Sequence, residues 1–140
     1  MKEKVTISMD ISKSELLKML SAYYTEELGK PVDIKVNVNK ELRGYSYDEY
    51  YDANIEFYFE NEYNVGTAKV KITTTLTNED IKEALNNIVS KLNYSIASID
   101  YDSGVRTVDY GYYESYEKAY FDGVKLNLKQ KGIKKVLEEK

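Results

Sequence analysis

The chain has 140 residues, of which 42% are apolar, and a formal net charge of −4 at pH 7. This length suits one domain with its own hydrophobic core, and the apolar content argues against intrinsic disorder. The sequence contains no cysteine and no histidine, which excludes disulfides, thiolate nucleophiles and Cys/His zinc sites. It has no P-loop, dinucleotide fingerprint or EF-hand spacing, so we expect no metal and no cofactor.

The first elements are a strand and a helix. Apolar residues alternate from Val5 to Met9, which predicts a strand. Ser12 and Glu15 have the spacing of a capping box, so a helix is expected to begin there. Gly29 predicts the helix end. The predicted apolar stripe of this helix is Leu16, Leu20, Tyr23, Tyr24 and Leu28.

The rest of the chain repeats this order. Two alternating strands are predicted at residues 32–38 and 55–59. A strand then follows at 70–74, and a helix starts at Thr77 with Asp80 as a looser capping box. Two more strands end the series, near residues 96–101 and 124–128. The second helical stripe is Ile81, Leu85, Ile88, Val89 and Leu92.

The two halves align without a gap through their first strand and helix. Val70 stands 65 positions after Val5, and Leu85 stands 65 positions after Leu20. We interpret this as an internal duplication of a βαββ unit, with repeat 1 at residues 4–62 and repeat 2 at residues 68–129 of a single domain, 1–140. A short C-terminal helix is predicted at 132–139. The competing interpretation is that any two amphipathic βαββ segments look alike.

The predicted fold class is α+β. Alternating strands imply a sheet with one buried face, which one helix from each repeat can cover. We therefore expect a mainly antiparallel sheet of about six strands, two helices packed on one face, and pseudo-twofold symmetry. The pattern leaves open whether the repeats share one continuous sheet or stack face to face.

A tyrosine-rich, acidic phrase occurs once in each predicted repeat, between its second and third strands. Tyrosine offers a large contact area with a polar tip and a low entropy cost, so it is favoured at binding surfaces. The alternatives are tyrosines that merely pack on a strand and an acidic rim that is only solvated. The predicted partner-binding residues are Tyr45, Tyr47, Asp48, Glu49, Tyr50, Tyr51, Tyr110, Tyr112, Tyr113, Glu114 and Tyr116.

Arg43 and Arg106, the only two arginines, lie close to these phrases. Arginine beside tyrosine suits an anionic ligand that can stack, such as a nucleotide. The alternative is that each arginine pairs with a neighbouring carboxylate at a strand end.

The sequence predicts a binding protein rather than an enzyme, because no catalytic motif accompanies its carboxylates. We expect a small phage or mobile-element protein that inhibits a host nucleic-acid-processing or defence protein, in the manner of anti-CRISPR proteins. The alternative is a nucleotide- or nucleic-acid-binding module that uses Arg43, Arg106 and adjacent tyrosines. No window is long and apolar enough for a membrane helix, so we expect no membrane and a cytoplasmic location. The tyrosine-rich phrases predict a protein partner, a nucleic acid or nucleotide is the alternative, and the chain could also form a homodimer.

Overall fold

The computed structural model describes residues 6–44, 50–109, 111–112 and 114–130. The predicted C-terminal helix at 132–139 lies outside the described residues. The elements are β1 (Ile7–Ser12), α1 (Lys13–Leu28), β2 (Lys35–Arg43), β3 (Tyr50–Val65), β4 (Ala68–Leu76), α2 (Asn78–Ser90), β5 (Tyr94–Asp109) and β6 (Ser115–Gln130). The order strand, helix, strand, strand therefore occurs twice along the chain.

The six strands are all antiparallel, but they are divided between two sheets instead of one. Sheet A has the order β1-β6-β5, and sheet B has the order β2-β3-β4. Each sheet joins the first strand of one half of the chain to the hairpin of the other half. The α+β class is confirmed. The predicted sheet of six strands is replaced by two three-stranded sheets, because among the described strands those of one sheet pair with none of the other, and the middle strands pack on each other through Phe57 and Phe121. β1 and β4 exchange partners between the halves.

The two sheets have matching registers. Two rows of directly opposed residues correspond to one another: Ile11–Val124–Tyr101 in sheet A and Leu76–Phe57–Val36 in sheet B. The outer strands keep the offset of 65 positions found in the sequence, while the middle strands are offset by 67 (Val124 against Phe57). An approximate dyad would produce this correspondence. The duplication itself stays a prediction, which superposition of residues 5–59 on residues 70–128 tests.

Both helices begin at capped positions. The Ser12 hydroxyl accepts a 3.2 Å hydrogen bond from the Glu15 backbone N–H at the start of α1. At the start of α2 the capping box is complete, since Asp80 N–H donates to Thr77 Oγ1 and Thr77 N–H donates to Asp80 Oδ2 at 2.8 Å. The second box, predicted to be the looser one, is thus the complete one, because the shorter Asp side chain still reaches the N-cap amide.

The predicted end of α1 is confirmed at Gly29. This residue has a φ of +67°, in the left-handed region that glycine adopts without penalty, and its N–H donates to the Thr25 carbonyl. The following segment is fastened to the helix by side chains. Thr25 Oγ1 accepts from the Val32 N–H at 3.0 Å, and Ser21 Oγ accepts from the Ile34 N–H at 2.9 Å. These bonds fix where β2 begins.

One apolar cluster holds the helices and both sheets together. Leu16 and Leu20 of α1 and Leu85 of α2 are fully inaccessible, as the helical spacing predicts. The stripes end earlier than predicted, since Leu28 at the end of α1 and Leu92, two residues after α2, are exposed. The buried residues of the cluster are Ile11, Leu16, Leu20, Val32, Ile34, Phe57, Phe59, Ile81, Ala84, Leu85, Val89, Phe121, Val124, Leu126 and Leu128.

Gly123 allows β1 and β6 to approach closely. It lies opposite Ser12 in the ladder and has a φ of +152°. A Cβ atom at this position would collide with the carbonyl oxygen of Ile11. The neighbouring irregularity between Asp102 and Ser103 shifts the β5–β6 register at the same level. The β5–β6 hairpin extends from this point to its tyrosine-rich tip.

Candidate partner-binding surface

The described ends of two long hairpins carry part of the tyrosine-rich phrases. β2 and β3 pair from Lys35 opposite Tyr58 to Arg43 opposite Tyr50, and residues 44–49 connect them. β5 and β6 pair as far as Asp109 opposite Ser115. We call the residues at these two ends the hairpin tips, namely Tyr50, Tyr51, Tyr112, Glu114 and Tyr116. The other predicted residues, Tyr45, Tyr47, Asp48, Glu49, Tyr110 and Tyr113, lie outside the described residues.

The β5–β6 tip presents its aromatic side chains outward. Tyr112 has 96% of its surface exposed, and Glu114 and Tyr116 are exposed as well. Tyr116, on β6, is 46% exposed and thus about half covered. The exposure of Tyr112 therefore agrees with the interpretation of a contact surface better than with the packing alternative, whereas that of Tyr116 fits both.

The β2–β3 tip has a similar composition. Tyr50 and Tyr51 are both exposed at the first positions of β3. The Lys40 ammonium lies 4.8 Å from the centre of the Tyr51 ring, within the range of a cation–π contact. One face of this tip thus carries an aromatic ring with a cation on it.

Arg43 forms ion pairs with carboxylates of its own hairpin. Glu41 and Asp52 lie directly opposite each other across β2 and β3, which would place two carboxylates side by side. Arg43 Nη2 is 3.5 Å from Glu41 Oε2, and Arg43 Nε is 3.4 Å from Asp52 Oδ2. The arginine therefore neutralises a like-charge pair, which agrees with the alternative interpretation of paired strand-end arginines.

Arg106 has a different environment. Its guanidinium carbon lies 4.6 Å from the centre of the Tyr120 ring. Tyr120 in turn covers Gly104, where a Cβ would be 3.1 Å from the Tyr120 hydroxyl. Lys118 lies directly opposite Arg106 in the ladder. Among the described residues no carboxylate lies within salt-bridge distance of Arg106, so this face of the hairpin keeps two adjacent positive charges.

The two arginines do not line one common cleft. Arg43 borders a cleft of about 240 Å³ between the two sheets, together with Phe57, Asn78, Tyr101 and Ser103. Burial raises the pKa of the Tyr101 phenol in this cleft above its ordinary value of 10.0. Arg106 is not part of that lining. A symmetric site made of both arginines therefore has no support in this geometry.

Sequence reasoning missed two features, one beside Arg106 and one on β4, away from the hairpin tips. Lys118 and Tyr120 accompany Arg106, and only the strand register reveals that they share its face. Val70 and Ile72 read as buried strand residues, yet both are exposed. The local pattern does not predict this exposure, because alternation shows which residues share a face but not whether that face is covered.

The part of the chain that the structure describes contains no group of three or more acidic side chains that could hold a metal ion. Neither α1 nor α2, the helices of the described ranges, is long and apolar enough to cross a membrane. Comparisons with protein-family models, curated proteins and solved structures give no significant match.

Proposed function

We propose that the chain is a non-enzymatic binding protein whose hairpin tips engage a protein partner. The observation that carries this proposal is the almost complete exposure of Tyr112 beside Glu114. Exposed aromatic rings supply contact area, and the neighbouring acids steer the approach of a basic surface. Basic surfaces are typical of nucleic-acid-processing proteins. The proposed role is therefore inhibition of such a host enzyme or defence protein, as anti-CRISPR proteins of phages and mobile elements do.

The test uses the purified chain as bait in host lysate, with variants compared side by side. The tip variant carries Tyr112→Ser and Tyr116→Ser. Its control is Leu92→Ser, which changes an exposed apolar residue that follows α2, away from the tips. We expect the tip variant to lose the captured partner and the control to keep it. Equal capture by both would refute the role of the tips.

A charge reversal tests the steering step separately. Glu114→Lys at the tip is compared with Glu26→Lys on α1, since both acids are exposed. With the partner identified, we expect the tip reversal to slow association and to weaken its dependence on salt concentration. The helix reversal should change neither. If both reversals act alike, overall net charge and not the tip governs association.

A second candidate function rests on Arg106. Arg106 and Lys118 are opposed on one hairpin face, and Tyr116 and Tyr120 flank them on β6. Like charges directly opposite are destabilising in a sheet, so an anionic ligand that stacks on tyrosine would stabilise this arrangement. A nucleotide or single-stranded nucleic acid has that chemistry. Titration with an oligonucleotide should then show weaker binding for Arg106→Ala and unchanged binding for Arg43→Ala.

A further inference from the structure

The buried face of sheet B continues beyond the core. Phe57 and Phe59 are buried on this face, and the register extends the same face to Tyr63 opposite Val70. These outer positions are not covered. Tyr63, Val65, Val70 and Ile72 are between 39% and 66% exposed. We call these four residues the β4 patch. It lies at the end of β3 opposite the tip formed by Tyr50 and Tyr51.

The β4 patch borders a free sheet edge. β4 is the outermost strand of sheet B, and each of its residues from Ala68 to Thr75 is exposed. Within residues 6–44, 50–109, 111–112 and 114–130, no strand pairs with its outer side. Such an edge presents unpaired N–H and C=O groups along its length and is a template for another strand.

The corresponding strand of sheet A does not share this exposure. Ile7 and Met9 of β1 lie opposite Leu128 and Leu126, which are buried, and both pack against the core. In sheet B, Ile72 lies opposite Asn61 instead. The exposed patch is therefore particular to β4 and is not a necessary result of the fold.

We infer that a second copy of this chain pairs with β4, antiparallel, with Ile72 facing Ile72 across a twofold axis. The axis would be perpendicular to sheet B and would join two three-stranded sheets into one of six strands. A second copy brings the same alternating strand and the same apolar patch. In this register the two Ile72 side chains face each other, and Val70 faces Thr74 of the second copy, all on the face that carries the β4 patch.

The lysines of β4 favour this register over the one centred on Val70, and pairing over the full strand favours it over the one centred on Thr74. A perpendicular twofold axis pairs only residues on the same face. With Ile72 at the centre, all nine residues of β4 pair, and Lys69 and Lys71 lie opposite Thr75 and Thr73. With Val70 at the centre, Lys69 would lie opposite Lys71. Like charges directly opposite are unfavourable, so the lysines disfavour the slipped pairing.

The expected dimer is weak. Stable protein interfaces bury roughly 1,200–2,000 Å² in total, and a single pair of nine-residue strands lies at or below the low end of this range. Association should therefore depend on concentration. We expect a dimer at high protein concentration that dissociates on dilution.

Disulfide trapping tests the register directly, because the natural chain has no cysteine. In the proposed dimer the two Ile72 Cα atoms are about 4.5–5.5 Å apart, within the span of a disulfide. Thr74 lies on the same face and is exposed, but its two copies would be about 13 Å apart. Ile72→Cys should form a covalent dimer under mild oxidation, and Thr74→Cys should not. Equal crosslinking of both variants, or of neither, overturns the proposal.

Sedimentation of the natural chain over a concentration series gives an independent measurement. We expect a monomer–dimer equilibrium, and Ile72→Lys should raise the dimer Kd by roughly tenfold or more because it places two ammonium groups at the axis. Tyr112→Ser should leave the Kd unchanged, which separates this proposal from that for the tips. A chain that stays monomeric at all concentrations, as it would if another extended segment occupied the edge, overturns the proposal.

Discussion

The rings of Phe57 and Phe121 meet edge to face, with their centroids 5.8 Å apart and their planes at 87°. Phe57 belongs to the middle strand of sheet B, and Phe121 belongs to the middle strand of sheet A. Tyr101 lies 6.1 Å from Phe121 between ring centroids and extends this contact. The two sheets are therefore joined by direct aromatic packing.

Truncation of either phenylalanine should destabilise the fold strongly. Phe57→Ala and Phe121→Ala should each lower the free energy of unfolding by about 3–5 kcal/mol, since both rings are buried. Together they should show a coupling of about 0.5–1.5 kcal/mol in a double-mutant cycle measured by denaturant unfolding. Strictly additive effects would mean that the two rings do not interact.

The helix faces can be tested with four leucines. Leu20→Ala and Leu85→Ala should each cost about 2–5 kcal/mol of unfolding free energy, because both side chains are fully buried. Leu28→Ala and Leu92→Ala are matched controls at exposed positions, and each should cost less than about 0.5 kcal/mol. Chemical denaturation measures all four. Silent substitutions at Leu20 and Leu85 would contradict the assigned core.

The two helix N-termini differ in the third helical residue: Asp80 of α2 accepts a hydrogen bond from the N-cap amide, whereas Glu15 of α1 contributes only its backbone N–H. Ser12→Ala and Thr77→Ala should each cost about 1 kcal/mol, because each hydroxyl accepts a backbone N–H bond. Asp80→Ala should cost a similar amount, of order 1 kcal/mol, since its carboxylate accepts from the Thr77 N–H. At the exposed Glu15 we expect a smaller effect of Ala. Thermal melts of the four variants measure these effects. Equal losses for Asp80→Ala and Glu15→Ala would contradict the greater contribution of the Asp80 side chain to capping.

Tyr24 should make stability fall at high pH. Burial, followed by the nearby charge of Asp80, raises the pKa of Tyr24 from 10.0 to about 12. Between these values the unfolded chain releases the Tyr24 proton while the folded chain keeps it. Stability from this group is thus complete below pH 10 and declines as the pH rises towards 12.

Denaturation of the natural chain and of Tyr24→Phe over this pH range checks the prediction. The variant should show a shallower decline, although Tyr101, whose pKa burial also raises, contributes in the same direction in both proteins. The variant also loses the 3.1 Å hydrogen bond that the Tyr24 hydroxyl donates to the Asp80 carbonyl, so slopes and not absolute stabilities are compared. Identical slopes would show that Tyr24 does not retain its proton.

Part of the candidate site could be predicted from local sequence. The phrase around Tyr50 and Tyr51 lies between two alternating segments, which is typical of a hairpin end, and these residues are exposed there. The roles of the two arginines could not be predicted. Cross-strand register places Asp52 beside Arg43 and Lys118 beside Arg106, and no local pattern encodes that choice.

The sequence by itself determined the elements. Alternation, capping residues and Gly29 define strands and helices through local backbone and side-chain preferences, and the burial of Leu20 and Leu85 follows from helical spacing. Only the tertiary structure decided which strands pair. β1 and β4 each leave their own half of the chain to join the other hairpin, and the six strands form two sheets. Pairing between strands distant in sequence depends on how the whole core packs. A period-two pattern shows which residues of a strand share a face, but not which strand lies beside it.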